Sequence, residues 1–155
     1  MDIKYINNDF QFLYRTSAII FNEDKSKVLL FNVEGRNFYM LPGGKINQKE
    51  ESINAIKREI KEELGYTNIE FSFLAVCEEF VIDKGFYNQQ INLIYTGILK
   101  DKIKKIKFKG LEGDWINFEW IDVSTIDNCD IYPSKIKEAI KYPNKIYHYI
   151  ENLTK

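Results

Sequence analysis

The chain has 155 residues, with 22 lysines and arginines against 23 aspartates and glutamates and a formal net charge of -1. This length corresponds to about one domain, with enough residues for a core that needs no disulfide or metal to hold it. The near balance of charge excludes a general electrostatic attraction to nucleic acid or to an anionic membrane, so an anionic ligand needs local chemistry.

Two cysteines, Cys77 and Cys129, lie far apart in the sequence and have no metal-type spacing. Because no apolar signal segment precedes them, we expect reduced thiols in a cytoplasmic protein. No apolar run approaches the length of a membrane span, so we expect neither a membrane nor a nucleic acid as a partner.

The first half of the chain alternates strand and turn signals. Phe10–Phe21 and Lys27–Val33 are rich in β-branched and aromatic residues, and the turn-forming sequence NEDKS separates them, which predicts two paired strands. Asn37–Gly44 predicts a short third strand, and its Pro-Gly-Gly ending requires a sharp change in the backbone.

After a long central helix, the second half predicts three more strands and a helical end. The strands are expected at Asn68–Ile82, Asn88–Lys100 and Trp115–Val123. A helix is expected over Pro133–Tyr142, and the helical pattern repeats over Asn144–Leu153. This order of elements predicts one α+β or sandwich-like domain over residues 1–155.

The central helix carries an apolar stripe that spans about 60° to either side of its first member. The stripe consists of Ile53, Ile56, Ile60 and Leu64. Asn47 and Glu50 resemble the start of a capping box, and Gly65 fits the left-handed position that ends a helix. The stripe predicts packing against a sheet and requires no function.

Three glutamates, Glu59, Glu62 and Glu63, share one flank of this helix beside the stripe. A charged helix face is most often simply solvated, and like charges at this spacing weaken an isolated helix by a few tenths of a kcal/mol per pair. A bound divalent cation would turn that repulsion into coordination, and the preceding Gly-Gly turn offers carbonyl oxygens as further ligands. The neighbouring turn therefore favours a site for Mg²⁺ or Mn²⁺.

The same residues carry a resemblance to a known family. Gly44, five residues, Glu50, seven residues, and then Arg58-Glu59-Ile60-Lys61-Glu62-Glu63-Leu64-Gly65 resemble a complete Nudix box. Only Tyr66 departs, because an aliphatic residue is usual there, and this change should affect packing rather than chemistry. Phe118–Ile126 resembles the closing strand of the family, and Asp130–Ile140 resembles the C-terminal segment of many bacterial members.

The resemblance implies an α/β/α sandwich with a mixed central sheet and metal-dependent hydrolysis of a nucleoside diphosphate linked to another group. Glu59, Glu62 and Glu63 match the metal-binding and water-activating carboxylates, and Arg58 matches the arginine that orients a glutamate. Gly44 matches the turn glycine, near a carbonyl that serves as a ligand. The strands and aromatic-rich faces could support a homodimer like those common in the family, although nothing in the sequence identifies an interface.

The chain departs from the family pattern in two places, and the core box survives the first of them. Many members carry Glu at the position of Asn47 and Gly at that of Lys49. A bacterial subset carries a His-Glu pair where this chain has Gln89-Gln90. Since an amide cannot accept a proton, a base outside the helix would have to be another acid. Glu112 is the first candidate, although an acid in a Gly-flanked loop is by default merely exposed, and the poorer candidates are Glu78, Glu79 and Glu119.

Residues outside the box must hold the base and the remaining group of a substrate. Tyr39 and Trp115 could stack on a base, although aromatic residues near strands more often belong to the core. Arg15 and Arg36 could hold phosphate or ribose, with surface ion pairing as the alternative. The sequence leaves both pairs of alternatives open.

Two other features favour structural explanations. Lys100–Gly110 could attract a polyphosphate, but its alternation of lysine with apolar residues is better explained as an edge strand with a lysine-rich solvent face. His148 is the only histidine, and within a terminal helix without a partner it is expected to be structural.

Three functions therefore remain from the sequence. The first is a pyrophosphohydrolase acting on a nucleotide sugar, a dinucleotide or a similar diphosphate, and the second cleaves nucleoside triphosphates to remove damaged nucleotides. The third is a nucleotide sensor of the same fold, against which the intact carboxylates argue because a binder has no evident need for all of them.

Overall fold

A computed structural model describes residues 1–155. Eleven strands form one sheet, and two α-helices and one 3-10 helix complete the regular structure. The strands are β1 (Lys4–Asn7), β2 (Phe10–Asn22), β3 (Lys27–Val33), β4 (Tyr39–Met40), β5 (Gly43–Lys45), β6 (Ser72–Asp83), β7 (Phe86–Leu99), β8 (Lys107–Gly110), β9 (Gly113–Asp122), β10 (Ile131–Tyr132) and β11 (Tyr147–Asn152). The helices are α1 (Ser52–Leu64), the 3-10 helix Val123–Asn128 and α2 (Ile136–Lys141).

The sheet is mixed, as expected. Its main strand order is β10-β4-β3-β2-β7-β6-β11, with β1 and β5 added at β2 and with β9 joining β3 to β8. The long strands β2 and β7 run parallel, whereas β6 and β7 form an antiparallel hairpin. This arrangement places three long strands side by side in the middle of the protein.

Helices cover both faces of the sheet, which confirms the predicted α/β/α sandwich. On one face, Ile56 and Ile60 of α1 are buried against a cluster that includes Ala18 and Ile20 of β2. On the other face, α2 and the 3-10 helix close a second cluster. Burying an isoleucine side chain contributes about 1.5–3 kcal/mol, so the apolar stripe of α1 explains why this helix docks on the sheet.

The middle of the sheet opens between β2 and β3. These two strands pair only at Phe21 and Val28 and then diverge. The segment that follows β3 crosses this opening. Its first strand, β4, pairs with β3, and its second strand, β5, pairs with Arg15–Ser17 of β2. The Pro-Gly-Gly sequence thus makes the expected sharp change, but Gly43 and Gly44 also form a short ladder of their own. Helix α1 follows directly and lies beside β5.

The prediction of a helix over Asn144–Leu153 was wrong. Tyr147–Asn152 forms β11, which pairs in parallel with β6 at the edge of the sheet. Buried and exposed residues alternate along it, with Tyr147, Tyr149 and Glu151 buried. That alternation is the two-residue period of a strand, and the free edge of β6 provides the partner.

Several predicted boundaries also differ. Helix α1 begins at Ser52 rather than near Asn47, and its N-cap residue Glu51 makes no side-chain capping bond. Glu50 precedes the helix, and its carboxylate accepts a hydrogen bond from the Asn47 amide at 2.9 Å. The end of α1 is as predicted, since Gly65 has a left-handed φ of 76°.

Two further segments are shorter than expected. Only Lys107–Gly110 of the predicted edge strand is a strand, and α2 covers Ile136–Lys141 rather than the whole of Pro133–Tyr142. Both cysteines are free thiols. None of the helices is both long enough and apolar enough to cross a bilayer.

Candidate active site

A glycine turn next to helix α1 forms the centre of the candidate site. The Gly43 amide donates a hydrogen bond to Oε2 of Glu63 at 3.1 Å. Gly43 has a φ of 149°, and a Cβ atom there would lie 2.2 Å from the Thr16 carbonyl oxygen. Only glycine can therefore bring the backbone this close to β2 and still present its amide to the helix.

Gly44 makes room for a carboxylate. A Cβ atom at Gly44 would lie 2.3 Å from Cδ of Glu59 and 2.4 Å from its Oε2. Contacts this short do not occur between real atoms, so any side chain at position 44 would displace the carboxylate of Glu59. Gly44 therefore leaves the space that the Glu59 carboxylate occupies.

Arg58 connects most of the acidic residues of the segment. Its guanidinium donates two hydrogen bonds to Glu50, at 2.8 and 2.9 Å, and one to Glu59 at 2.8 Å. It also contacts Glu62 at 3.2 Å and the carbonyl oxygen of Lys45 at 3.0 Å. These hydrogen bonds, above all those that Arg58 donates to Glu50, raise the pKa of Arg58, so its side chain stays charged and fixes the orientation of its partners.

The carboxylates around the glycine turn lie in a partly buried space and repel one another. Burial, together with the charges of Glu59 and Glu112, raises the pKa of Glu63 to about 8. Burial also raises the pKa of Glu59, and Glu62 and Glu112 add to this effect while Arg58 opposes it. Negative charge has therefore accumulated here beyond what Arg58 neutralises.

Glu112 belongs to this acidic cluster because the turn that carries it is attached to α1. The Leu111 amide donates a hydrogen bond to the carbonyl oxygen of Glu63 at 2.9 Å. Glu112 itself is exposed, yet its charge acts on both Glu59 and Glu63. The β8–β9 turn thus brings a fourth glutamate, distant in sequence, to the three glutamates of the helix.

The donors of this cluster suit a hard divalent cation. Carboxylate oxygens and a backbone turn are the ligands that Mg²⁺ and Mn²⁺ prefer, and the excess negative charge would be relieved by such an ion. The side chains do not form a ready-made group of three or more around one point. Arg58 holds Glu59 and Glu62, and the Gly43 amide holds Glu63, so coordination requires these side chains to turn toward a shared ion.

A cleft lies on the sheet face opposite α1, where α2 does not cover the strands. Its volume is about 330 Å³, which falls within the range of about 300–1,000 Å³ typical of ligand sites. Arg15 and Arg36 both line it, and neither belongs to an ion pair. Arg36 instead lies 5.7 Å from the centre of the Phe38 ring.

The two aromatic candidates lie elsewhere. Tyr39 packs against the core cluster beneath α2, and its hydroxyl donates a hydrogen bond to Glu119 at 2.6 Å. That hydrogen bond, with burial, raises the pKa of Tyr39 to about 12. Trp115 is exposed at the start of β9, where its ring lies over Gly113. Neither residue lines the cleft.

The floor of the cleft contains buried polar residues. The sequence ranked Glu79 among the poorer candidates for a base and did not single out Asn92. Glu79 of β6 is only 1% exposed, and Asn92 of β7 is 4% exposed. The Gln90 side chain donates a hydrogen bond to Oε2 of Glu79, so this amide has a carboxylate directly across from it on the neighbouring strand. The two-residue alternation of β6 indicates this placement in the sequence, because Glu79 lies on the same strand face as the buried residues Ala75 and Cys77.

His148 has a partner, contrary to expectation. It lies on β11, and its Nε2 is 2.7 Å from Oε2 of Glu78 on the neighbouring strand β6. Both side chains are exposed to a large extent. A pair of this kind contributes at most about 1 kcal/mol, and it lies away from the acidic cluster.

Fold and site together define a class of protein, namely an α/β/α sandwich in which an acidic helix meets a glycine turn, with a cleft on the opposite face of the sheet. Residues 12–141 match the family model described as the NUDIX domain. The match covers most of the chain, so the chain belongs to the Nudix family.

Individual relatives agree with this assignment. The chain is 30% identical over 123 residues to the m7GpppN-mRNA hydrolase of Saccharomyces cerevisiae, a match that covers 77% of this chain and 12% of the relative. The chain therefore corresponds to only a small part of that protein.

Solved structures support the fold at lower identity. A MutT protein from Bacillus halodurans has a TM-score of 0.66 and 19% identity, covering 89% of this chain and 90% of its own. The Escherichia coli dihydroneopterin triphosphate pyrophosphohydrolase has a TM-score of 0.64 and 15% identity. This match covers 83% of the present chain and 92% of the pyrophosphohydrolase.

Proposed function

We propose that this protein hydrolyses a diphosphate linkage in a nucleoside diphosphate joined to another group, such as a nucleotide sugar or a dinucleotide. The observation that carries the proposal is the acidic cluster of Glu59, Glu62, Glu63 and Glu112 around the Gly43–Gly44 turn. A merely solvated surface would not place carboxylates where burial, with neighbouring negative charges, raises the pKa values of Glu59 and Glu63. Membership of the Nudix family supports the same reading.

Glu59, Glu62 and Glu63, with a backbone oxygen near Gly44, would hold Mg²⁺ or Mn²⁺. When bound, such a cation neutralises diphosphate charge and lowers the pKa of a coordinated water. Arg58 acts as a positioning residue, because it holds Glu59 and Glu62 on one side and is itself held by Glu50.

The other residues bind and orient the substrate. Arg15 and Arg36 line the cleft without ion-pair partners, so their charges are available to phosphate oxygens. A carboxylate of the cluster accepts the proton of the attacking water. Glu62 and Glu112 are the two exposed members, and they are the first to compare for this role.

The test is a panel of nucleotide sugars, dinucleotides and nucleoside triphosphates, assayed with Mg²⁺, with Mn²⁺ and with EDTA. We expect cleavage of at least one compound, dependent on the metal, and a loss of about 10²-fold or more in Glu62→Gln and Glu63→Gln. Glu51→Gln is the matched control, since Glu51 is exposed and makes no capping bond. Undiminished turnover in both cluster variants would disprove the assignment.

Two additional measurements separate the alternatives. Binding of Mn²⁺, followed by electron paramagnetic resonance, should weaken in the cluster variants whether or not a substrate is found. Cleavage of triphosphates alone would favour removal of damaged nucleotides, and tight binding of one compound without cleavage of any would favour a sensor.

A further inference from the structure

Helix α1 covers only one half of the sheet face on which it lies. It packs near the carboxyl ends of β2 and β7, where Ala18, Ile20 and Tyr95 belong to its core cluster. Toward the amino ends of the same strands, over Phe10–Tyr14 and Tyr87–Ile91, none of the side chains on this face is buried. Parallel strands such as β2 and β7 occur almost only where both faces of the sheet are covered. This half of the face is therefore where a further layer is expected.

The uncovered half extends over five neighbouring strands, β1, β2, β7, β6 and β11, and we call it the open face. The strand register places fourteen side chains on it. Six of them are aromatic, namely Tyr5, Phe10, Phe12, Tyr14, Phe80 and Tyr87. The contacts between rings agree with this register, because the centre of the Phe10 ring lies 6.0 Å from that of Tyr87 and 6.4 Å from that of Tyr5.

The remaining positions of the open face are mostly uncharged. Four are aliphatic, namely Val76, Ile82, Ile91 and Ile150, and four are polar, namely Glu78, Gln89, His148 and Asn152. Charged residues make up 29% of the chain, yet Glu78 is the only acid on this face, which has no lysine or arginine. Aromatic enrichment and depletion of charge distinguish the core of a protein–protein interface from ordinary surface.

The size of the open face fits an interface. Strand spacing and residue rise give each position about 30 Å² of sheet, so the fourteen positions cover about 450 Å². Each partner of a stable complex buries about 800 Å², in which a polar rim surrounds an apolar core. The open face has the area of such a core before any rim is counted.

The chemistry of the open face complements a second copy of itself. Two-fold dimers are the most common soluble oligomers, and their axis brings the same patch of both copies together. The Nε2 atom of His148 lies 2.7 Å from Oε2 of Glu78, so an acid and a base stand side by side on this face. A copy related by a two-fold axis can present its own histidine to that acid. Two apolar sheet faces also pack well on each other, about 10 Å apart.

We propose that two copies of this chain pack open face against open face as a two-fold symmetric dimer, which buries the aromatic side chains between the two sheets. This inference goes beyond the proposed function, because no residue of the acidic cluster or of the cleft belongs to the open face. The dimer covers the parallel strands on the side that α1 leaves uncovered.

The test measures molar mass by size-exclusion chromatography with light scattering, from micromolar to near-millimolar protein. We expect the unmodified protein to have twice the mass of the 18.4 kDa chain. The variants Ile82→Asp and Ile150→Asp place a charge in the interface at side chains that are 53% and 47% exposed in one copy, so the fold should tolerate them. Because each change occurs twice in a symmetric interface, the Kd of the dimer should rise by about 10²-fold or more.

Ile106→Asp is the matched control. Ile106 is 45% exposed but lies just before β8, outside the open face, so this variant should remain a dimer. Far-UV circular dichroism shows that each variant is folded. An unmodified protein that stays at 18.4 kDa at every concentration would overturn the inference and leave the open face to a partner of another kind. A dimer that survives both open-face substitutions would overturn it as well, because its interface would lie elsewhere. Neither result depends on whether a substrate is found.

Discussion

The burial of Glu79 predicts that the stability of the protein depends on pH in a specific direction. Burial raises the pKa of Glu79 to about 7 from an ordinary 4.5, although Arg15 and the Asn92 amide oppose the effect. The carboxyl group therefore binds its proton more tightly in the folded state than in the unfolded state. Stability from this group is present at low pH and is lost as the pH rises through the interval between these two values.

The magnitude follows from the two pKa values. Between pH 5 and pH 8, a shift of this size lowers the free energy of unfolding by about 2–3 kcal/mol. Glu79→Gln removes the titration but keeps an acceptor for the Gln90 side chain. We therefore expect the variant to resemble the unmodified protein most closely at pH 5 and to be more stable at pH 8.

Urea unfolding at the two pH values measures this difference. The quantity to compare is the stability of Glu79→Gln minus that of the unmodified protein, which cancels the titration of other groups such as Glu63. Glu70→Gln, at an exposed position, is the control and should show no such dependence. A difference that stays constant between pH 5 and pH 8, or that falls with rising pH, would refute the reasoning.

Two predictions concern the geometry of the acidic cluster. Gly44→Ala should lower turnover by about 10²-fold, because the new methyl group displaces Glu59 by more than an ångström, and adding Glu59→Ala should restore any lost stability without restoring turnover. Arg58→Lys keeps the charge but loses the paired bonds to Glu50, so a decrease of about 2 kcal/mol in unfolding free energy and a lower kcat are expected. Thermal unfolding and steady-state kinetics check both, and an Arg58→Lys variant with unchanged stability and kcat would show that Arg58 positions nothing.

The sequence was most informative where one element carries a whole pattern. The stripe of α1 and the glycine at its end follow from helical periodicity and backbone sterics, which are local properties. The spacing from Gly44 to Gly65 likewise placed the glycine turn beside the helix glutamates. The sequence named Glu112 as a candidate, but the hydrogen bond that attaches its turn to α1 is a tertiary contact that only the structure reveals.

The errors arose where contacts between segments that are distant in the sequence decide the local structure. Tyr147–Asn152 fits a two-residue period, but Ile146, Tyr149, Ile150 and Leu153 also fit a helical one. The available edge of β6 selects the strand, and a single sequence does not reveal that edge. Glu79 was ranked low for a similar reason, since its setting depends on three strands that are far apart in the chain.

The separation between helix and cleft affects how this protein can change over evolutionary time. The acidic cluster comes from α1, the glycine turn and the β8–β9 turn, whereas the cleft floor comes from β6 and β7 on the opposite face of the sheet. Substitutions at positions 79, 90 and 92 can therefore change the polar groups of the cleft floor while the backbone around Gly44 stays in place. Mutation can thus vary the chemistry of these strand faces without disturbing the acidic cluster.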